Sequence, residues 1–442
     1  MMEALAVEHR VHVRHQQLSS LPDDRKGKTI RDAINDAALG AFAVFVTPSP
    51  SFLAHQRTRQ HANGRSNAES LVRMGAIPCE HQIRTWLDPV APAQLFPVFA
   101  EVYAALEGAG PMWSWRVVAD QRLIAVDGTD YVASQEIHGA RCSQRTHPHG
   151  QVTYVPQAIT PVIVAPGQPE VLTLEPECIT PQDGHAKQDW AQVAATRWMA
   201  RQAGRYRRVT ICGDDRYGTQ PFGELLLHHG FNFLLVCQPA SHKTLYDWIA
   251  ASEAAGALHH CPIRRWNGRF HAVYTYRYAN DVPWREGDDV LWVNGCELSI
   301  TQEADGTMLS HHAFATPHPL NRTNVEAVVQ ARPSPLEHRA RDQQCPHNQR
   351  LSSRTSLRPW PTTRGRRVTH AESLSLAVPY GAGGTDQKYH LVRQALAARQ
   401  TFLQDLQALT RYLLFESWDH RLAFMLQGLE LSVAPDPAII SK

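Results

Sequence analysis

Apolar positions along the chain change their period several times. Up to about residue 120 they recur every three or four residues, as in "DAINDAALGAFAVFV" and "LFPVFAEVYAALEGAG". That is the spacing of helices that bury one face. Pro-rich joints, "TPSPSF" and "LDPVAPAQ", separate these helical stretches. From Arg122 the pattern shortens to β-branched runs, "RLIAVDGT", "VTYVPQAITPVIVAP" and "EVLTLEPECI", with turn signals between them, which predicts an antiparallel meander. "KQDWAQVAATRWMARQAG" predicts an amphipathic helix with Trp190, Val193, Ala194 and Trp198 on one face. The strand "RVTICGDD", the helix "QPFGELLLHHG" with Gly230 as its stop, and the strand "FNFLLVCQP" follow. Three strands and then helix, strand, helix, strand predict a mixed α/β sheet.

Residues 258–318 return to β character, with "RFHAVYTYRYA", "DDVLWVNGCELSIT" and "LSHHAFATPHP" divided by Gly, Asp and Pro. The helix "NRTNVEAVVQA" comes next. Residues 332–369 then hold nine Arg, no Lys and five Pro, with no period of 2 or 3.6, so no element is assigned there. From about Thr385 helical order resumes, with Phe402, Leu406, Leu409 and Leu413 on one face. The chain thus divides into a helical region (1–120), an α/β core (121–257), a β-rich insertion (258–318), a helix (319–331), an irregular segment (332–384) and C-terminal helices (385–442).

Paired carboxylates stand at two of the strand ends. Asp127 closes the first strand of the core, and Asp214 with Asp215 closes the fourth. If those strands are neighbours, the carboxylates emerge at one edge of the sheet, where basic side chains or metal ions must neutralise them. Oxygen ligands of this kind suit Mg²⁺ or Mn²⁺, and two such ions about 4 Å apart serve phosphoryl transfer. Asp before Gly is also an ordinary turn signal, so turn capping alone accounts for the same residues.

The segments "LIAVDGTDYVASQEIH", "AITPVIVAPGQPEV", "ITPQDGHAKQDW" and "GDDRYGTQPFGELLLHHGFNFLLVCQPASHKTLYDW" together resemble bacterial insertion-sequence transposases of the DDE class, in the insertion-sequence-four-like group. "LPDDRKGKTIRDAINDAALGAFAVF", "SPSFLAHQRT" and "IPCEHQIRTWLDPV" resemble that group's N-terminal region. The resemblance covers about residues 10–330 and 385–430. It implies an α/β fold with an RNase H-like mixed-sheet core, a β-rich insertion before the last core helix, and a helical N-terminal DNA-binding or accessory region. It also implies a carboxylate triad holding two Mg²⁺ (or Mn²⁺) ions. Its first member falls on Asp127 and its second on Asp215, directly before Arg216 and Tyr217; strand alternation aims only one of Asp214 and Asp215 at the ions. The implied partners are double-stranded DNA, as terminal inverted repeats and target, with a homodimer on the DNA. The implied reaction is metal-dependent phosphodiester cleavage followed by strand transfer. A catalytically dead DNA-binding remnant and a metal-dependent nuclease on the same core are the alternatives.

The pattern breaks at the third carboxylate, expected on a helix after "NRTNVEAVVQA" in a Trp-x-x-Glu context. Here the chain has "RPSPLEHRARDQQCPHNQR". Glu337 is the nearby glutamate, and Pro333 and Pro335 ahead of it make a poor start for a ligand-bearing helix. If Leu336–Arg339 are encoded TTG GAA CAC CGA, followed by G, reading from the second nucleotide gives Trp-Asn-Thr-Glu. We hypothesise a frameshift near residue 332, reversed near 385; codons in the gene that forbid this reading would exclude it.

Composition changes this picture little. The formal net charge is +2, so a polyanion must be held by local patches rather than a global field. Arg outnumbers Lys 38 to 6, which suits phosphate but also follows from a GC-rich genome. Two basic groups stand out: Arg201, Arg205, Arg207 and Arg208 at a helix end, and Arg264, Arg265 and Arg269 interleaved with Trp266, Phe270, Tyr274 and Tyr276. Either group can meet DNA phosphates or bases, or serve as helix-end charge and hairpin packing. His138, Cys142, His147 and His149 are close in sequence but match no strong zinc spacing. The eight cysteines contain no CxxC pair, and neither a signal peptide nor an 18-residue apolar run is evident. The expectation is a reduced, cytoplasmic, nucleoid-associated protein with no membrane partner.

Overall fold

The computed structural model describes residues 7–21, 23, 34–46, 52–60, 63–87, 89–108, 111–130, 135, 142–155, 157–168, 171–180, 187–331, 386–396 and 399–432. The N-terminal apolar repeats form α1 (Val7–Ser19), α2 (Ile34–Val46), α3 (Phe52–Gln60), α4 (Asn63–Val72), α5 (Glu80–Leu87) and α6 (Pro97–Gly108).

The core begins with β1 (Arg116–Val118), β2 (Gln121–Val126), β3 (Gly128–Asp130), β4 (Ser143–Thr146), β5 (Val152–Val155), β6 (Gln157–Ile159), β7 (Val162–Val164), β8 (Leu172–Thr173) and β9 (Glu177–Ile179). It continues through α7 (Lys187–Gln202), β10 (Val209–Gly213), α8 (Gln220–His228), β11 (Asn232–Cys237) and α9 (Lys243–Ala254). Four long strands, β12 (His259–Trp266), β13 (His271–Pro283), β14 (Trp292–Gln302) and β15 (Met308–Thr316), lead to the short helix α10 (Val325–Gln330).

One large sheet has the order β12-β13-β14-β15-β11-β10-β2-β7-β8, with β1 paired to the start of β2. β2, β10 and β11 run parallel to one another, and every other ladder of the sheet is antiparallel. The molecule is therefore a mixed α/β fold. The central strands are covered on both faces, which is why "LIAV", "VTICG" and "FLLVC" are almost continuously apolar. On one face Trp198, Phe222, Leu226, Leu245 and Ile249 bring α7, α8 and α9 against Ile124, Ile211, Phe233 and Leu235. On the other, a single cluster joins Val118 of β1 to Cys261 of β12 around Val325, Val328 and Val329. Those two strands lie in opposite halves of the sheet, so the sheet curls around α10.

Two sequence expectations are corrected, and the β-rich segment gains a placement. The predicted meander is divided: β2, β7 and β8 stay in the main sheet, whereas β3, β6 and β9 form a small second sheet and β4 with β5 a separate hairpin. Pro161 falls within "VTYVPQAITPVIVAP" between β6 and β7 and has no N–H to donate to a ladder, so the run cannot remain one strand. The β-rich insertion is continuous with the core sheet, because β15 pairs with β11 over Leu235–Cys237. On α7 the buried face is Ala191, Ala194, Ala195, Trp198 and Met199, while Val193 is exposed.

The C-terminal run, one long apolar period in the sequence, forms α11 (Gln387–Ala395), α12 (Arg399–Tyr412) and α13 (Trp418–Gly428). Side-chain caps set two of the starts: Asp386 accepts from Tyr389 N, and Ser417 accepts from His420 N. Leu413, expected on the apolar face, falls beyond α12 and is exposed. These helices pack on the N-terminal ones: Leu18, Leu39, Ala68 and Leu71 share one core with Phe402, Leu406, Phe415, Trp418 and Leu422. The two ends of the chain thus make a single helical bundle. Among the described residues no helix is long and apolar enough to cross a membrane.

Candidate active site

The parallel ladder between β2 and β10 ends with Val126 opposite Gly213. One step further, Asp127 and Asp214 stand level on neighbouring strands. Alternation along each strand aims both at the same face, because Leu123 and Ala125 on β2 and Cys212 on β10 all belong to the cluster around α10. Asp215 lies in the turn that follows, where Tyr217 N donates to Asp214 O (3.0 Å) and Gly218 N to Asp215 O (3.2 Å). The register therefore brings Asp214, the neighbour of the residue the resemblance selects, beside Asp127.

The pair is half-buried. Burial pushes the Asp214 carboxyl above the usual carboxylate range, and the charge of Asp127 raises it further; Arg216 opposes this. Asp127 Oδ1 accepts from Gly128 N (2.8 Å) and Asp214 Oδ1 from Arg216 N (3.1 Å). The Arg216 Nε sits 3.7 Å from Asp214 Oδ2 with its side chain half exposed, a weak counter-charge for that carboxylate. Such a pair is suited to a hard divalent cation.

Glycines make the strand-to-helix turn possible. A Cβ on Gly218 would lie 2.3 Å from Val236 O, and one on Gly213 would lie 3.0–3.1 Å from Tyr217 and Leu235 side-chain atoms. The buried His242 donates from Nε2 to Gly218 O and fixes the turn to the start of α9. Gly218→Ala is expected to destabilise the protein by about 1–3 kcal/mol, read by denaturant melts, and to displace Asp214. A cost near zero would show that the turn gives way freely.

The third carboxylate is not assembled among the described residues, where no group of three or more His, Cys, Asp or Glu side chains is placed to hold a metal. Glu337 and the whole 332–384 segment, including the frame-shifted reading, lie outside the described residues. The chain enters that segment close to the pair: Ala331 O, at the end of α10, accepts from Cys212 Sγ (3.5 Å), two residues before Asp214. An extended stretch of six residues reaches at most about 20 Å from there.

The two basic groups fall at opposite ends of the sheet. Arg205, Arg207 and Arg208 precede Val209 and so lie at the far end of β10 from the carboxylates. Arg205 is paired with Glu175 (3.1 Å) and Arg208 with Asp120 (2.6 Å), and Arg207 is exposed. In contrast, β12 and β13 run on past the level of the carboxylates, and the Trp266–His271 hairpin end projects beyond it. From His259, which shares that level through the ladders, seven residues to Trp266 amount to roughly 20 Å. Arg264 there is held by Glu303 (2.7 Å) and Arg265 by Glu326, and Trp266 is 59% exposed, edge-on to His271. This projection was hidden from the sequence, since strand direction within a sheet is set by pairing and not by local pattern. The zinc reading gathers no cluster: Cys142 is buried, His147 is exposed and meets Thr153 Oγ1 at 2.8 Å, His149 is exposed, and His138 lies outside the described residues. No protein-family model matches the chain, and no curated protein matches it.

Proposed function

We propose that the chain is a DDE-class insertion-sequence transposase on an RNase H-like core, acting on double-stranded DNA at terminal inverted repeats. The observation that carries the reading is the level, same-face placement of Asp127 and Asp214 at the ends of adjacent parallel strands. The sheet order supports it: the first long core strand, β2, is central, with antiparallel β7 and β8 on one side and parallel β10 and β11 on the other. The second carboxylate of the proposal is Asp214 rather than Asp215.

Asp127 and Asp214 would hold Mg²⁺ or Mn²⁺, and a third carboxylate from beyond Ala331 is needed for a second ion. A bound divalent cation supplies an activated attacking oxygen and neutralises charge on the phosphate. The chain's own contribution is positional. The N–H groups of Gly128 and Arg216 fix one oxygen of each carboxylate, and the glycines at 213 and 218 hold Asp214 at the level of Asp127. The hairpin end offers the exposed Trp266 ring to DNA on the same side, and Arg264 and Arg265 would exchange their glutamate partners for phosphates there; two copies acting together on DNA follow from the resemblance.

A second reading, a DNA-binding remnant without catalysis, is favoured by the sequence at the expected third carboxylate, where Pro333 and Pro335 stand just ahead of Glu337. The test is incubation of the full chain with end-containing duplex in Mg²⁺ or Mn²⁺, beside Asp127→Asn. Cuts followed by strand joining, both lost in the variant, are the expected result. Cuts without joining indicate a nuclease, and binding without cuts a remnant. Neither binding nor cutting overturns the proposal.

A further inference from the structure

The end of the sheet opposite the carboxylates carries its own row of charge. Arg116 on β1 is the ladder partner of Arg122 on β2, and Arg122 pairs in turn with Val209 on β10, which directly follows Arg207 and Arg208. Arg122 N donates to Arg208 O (3.1 Å) and Arg122 Nη2 to Arg207 O (3.4 Å), so the three strands hold these residues side by side. Asp120 bridges two of the side chains, its Oδ2 lying 3.1 Å from Arg116 Nη1 and 2.6 Å from Arg208 Nη2. Five residues of β2, roughly 17 Å, separate this row from Asp127.

The four arginines outnumber their counter-charges. Arg116 and Arg208 share Asp120, Arg122 has Glu107 (2.7 Å), and the exposed Arg207 has no ion pair among the described residues. Four guanidiniums against two carboxylates leave two positive charges in excess. Beside them stands Trp113, in the turn before β1, 66% exposed. The Arg116 guanidinium lies 3.8 Å from the centroid of its ring, so one face is covered by a cation and the other is open to solvent. Arg208 also holds φ +56°, a left-handed conformation that strains an arginine and that glycine takes freely. What an arginine adds there is its charge, and strain kept at such a position points to use of the side chain.

A row of guanidiniums beside an open aromatic face suits single-stranded nucleic acid, whose phosphates take the charges and whose unpaired bases stack on the ring. A duplex offers phosphates but keeps its base faces paired and stacked, and an acidic peptide brings carboxylates without a base. We propose that Trp113, Arg116, Arg207 and Arg208 form a binding site for a single strand of nucleic acid. One base stacks on Trp113, a phosphate meets Arg207, and Arg116 with Arg208 supplies the charge that Asp120 alone does not cancel. The site shares no residue with the carboxylate pair or with the Trp266 hairpin end, and it stands whether or not the protein cuts DNA.

The test is fluorescence anisotropy of the full chain with fluorescein-labelled oligo(dT) of about 15 nucleotides, using wild type, Trp113→Ala, Arg207→Gln and Trp266→Ala. Wild type is expected to bind, and Trp113→Ala to bind about tenfold more weakly. Arg207→Gln should flatten the slope of log affinity against log salt by about 0.7, while Trp266→Ala keeps the wild-type affinity. An oligo(U) arm with the same dependence on Trp113 tells the source of the strand, RNA if it binds tighter and DNA if weaker. Ultraviolet crosslinking of a 5-iodouracil strand to wild type, followed by peptide mapping, needs no variant and should attach at Trp113. The proposal falls if wild type does not bind the oligonucleotide, if Trp113→Ala and Arg207→Gln both bind as wild type does, or if the crosslink maps elsewhere. Duplex binding that needs Arg207 but not Trp113 would overturn the single-strand assignment.

Discussion

Asp214→Asn is expected to lose divalent-cation binding and DNA cleavage together, by about 10³-fold or more in rate, and at the same time to melt higher than wild type in EDTA. The rate loss follows from removing one of two carboxylates that would hold the cation, an electrostatic contribution of several kcal/mol to the transition state. The gain in stability follows from the raised pKa of Asp214, caused first by burial and then by Asp127. A carboxyl whose folded pKa lies above its unfolded value contributes stability below the unfolded value and loses it as pH rises through the folded one. The Tm gap between variant and wild type should therefore widen as pH rises above about 4, and close when Mg²⁺ saturates the wild type. Asp127→Asn should match the rate loss. Asp215→Asn, in the turn beyond the ladder, should stay within about tenfold of wild type, since it removes no cation ligand. Equal loss at Asp215 and no loss at Asp214 would reverse the assignment of the second carboxylate.

Asn67→Ala is expected to cost about 3–5 kcal/mol, the largest single effect on the helical bundle. Asn67 is fully buried on α4; its Nδ2 donates to Thr410 O (2.8 Å) and Leu413 O (2.6 Å), and its Oδ1 accepts from Phe415 N (2.9 Å). Alanine would strand Thr410 O and Phe415 N–H in the interior and Leu413 O at its edge, at about 1–3 kcal/mol for each buried group left unsatisfied. Asn67→Asp should be no better, because it keeps the acceptor, loses both donors and buries a charge. Denaturant midpoints read the loss, and faster proteolysis between α12 and α13 locates it. A cost below about 1 kcal/mol would mean that this connection finds other partners.

Sequence and structure agree where a local period carried the information. The helices around residues 34–46 and 97–108, the strand–helix–strand run from Val209 to Cys237, and the β character of 258–318 are all present. β2 and β10 pair in parallel up to Val126 and Gly213, the residues before Asp127 and Asp214. What the sequence left undecided was which of Asp214 and Asp215 faces Asp127. Side-chain direction reverses with every residue of a strand, so the answer depends on ladder register, and register comes from pairing with Val126 and Leu235.

By itself, then, the sequence determined the order of elements and where chemistry-bearing residues stand along them, because apolar period, Pro and Gly act over a few residues. Only the tertiary structure decided the long-range matters. The β-rich segment extends the core sheet and carries Trp266 past the carboxylate end, and both chain ends close into one bundle. Each of these joins residues far apart in the chain, and such contacts form only when separate apolar faces are buried against one another, a condition no local pattern encodes.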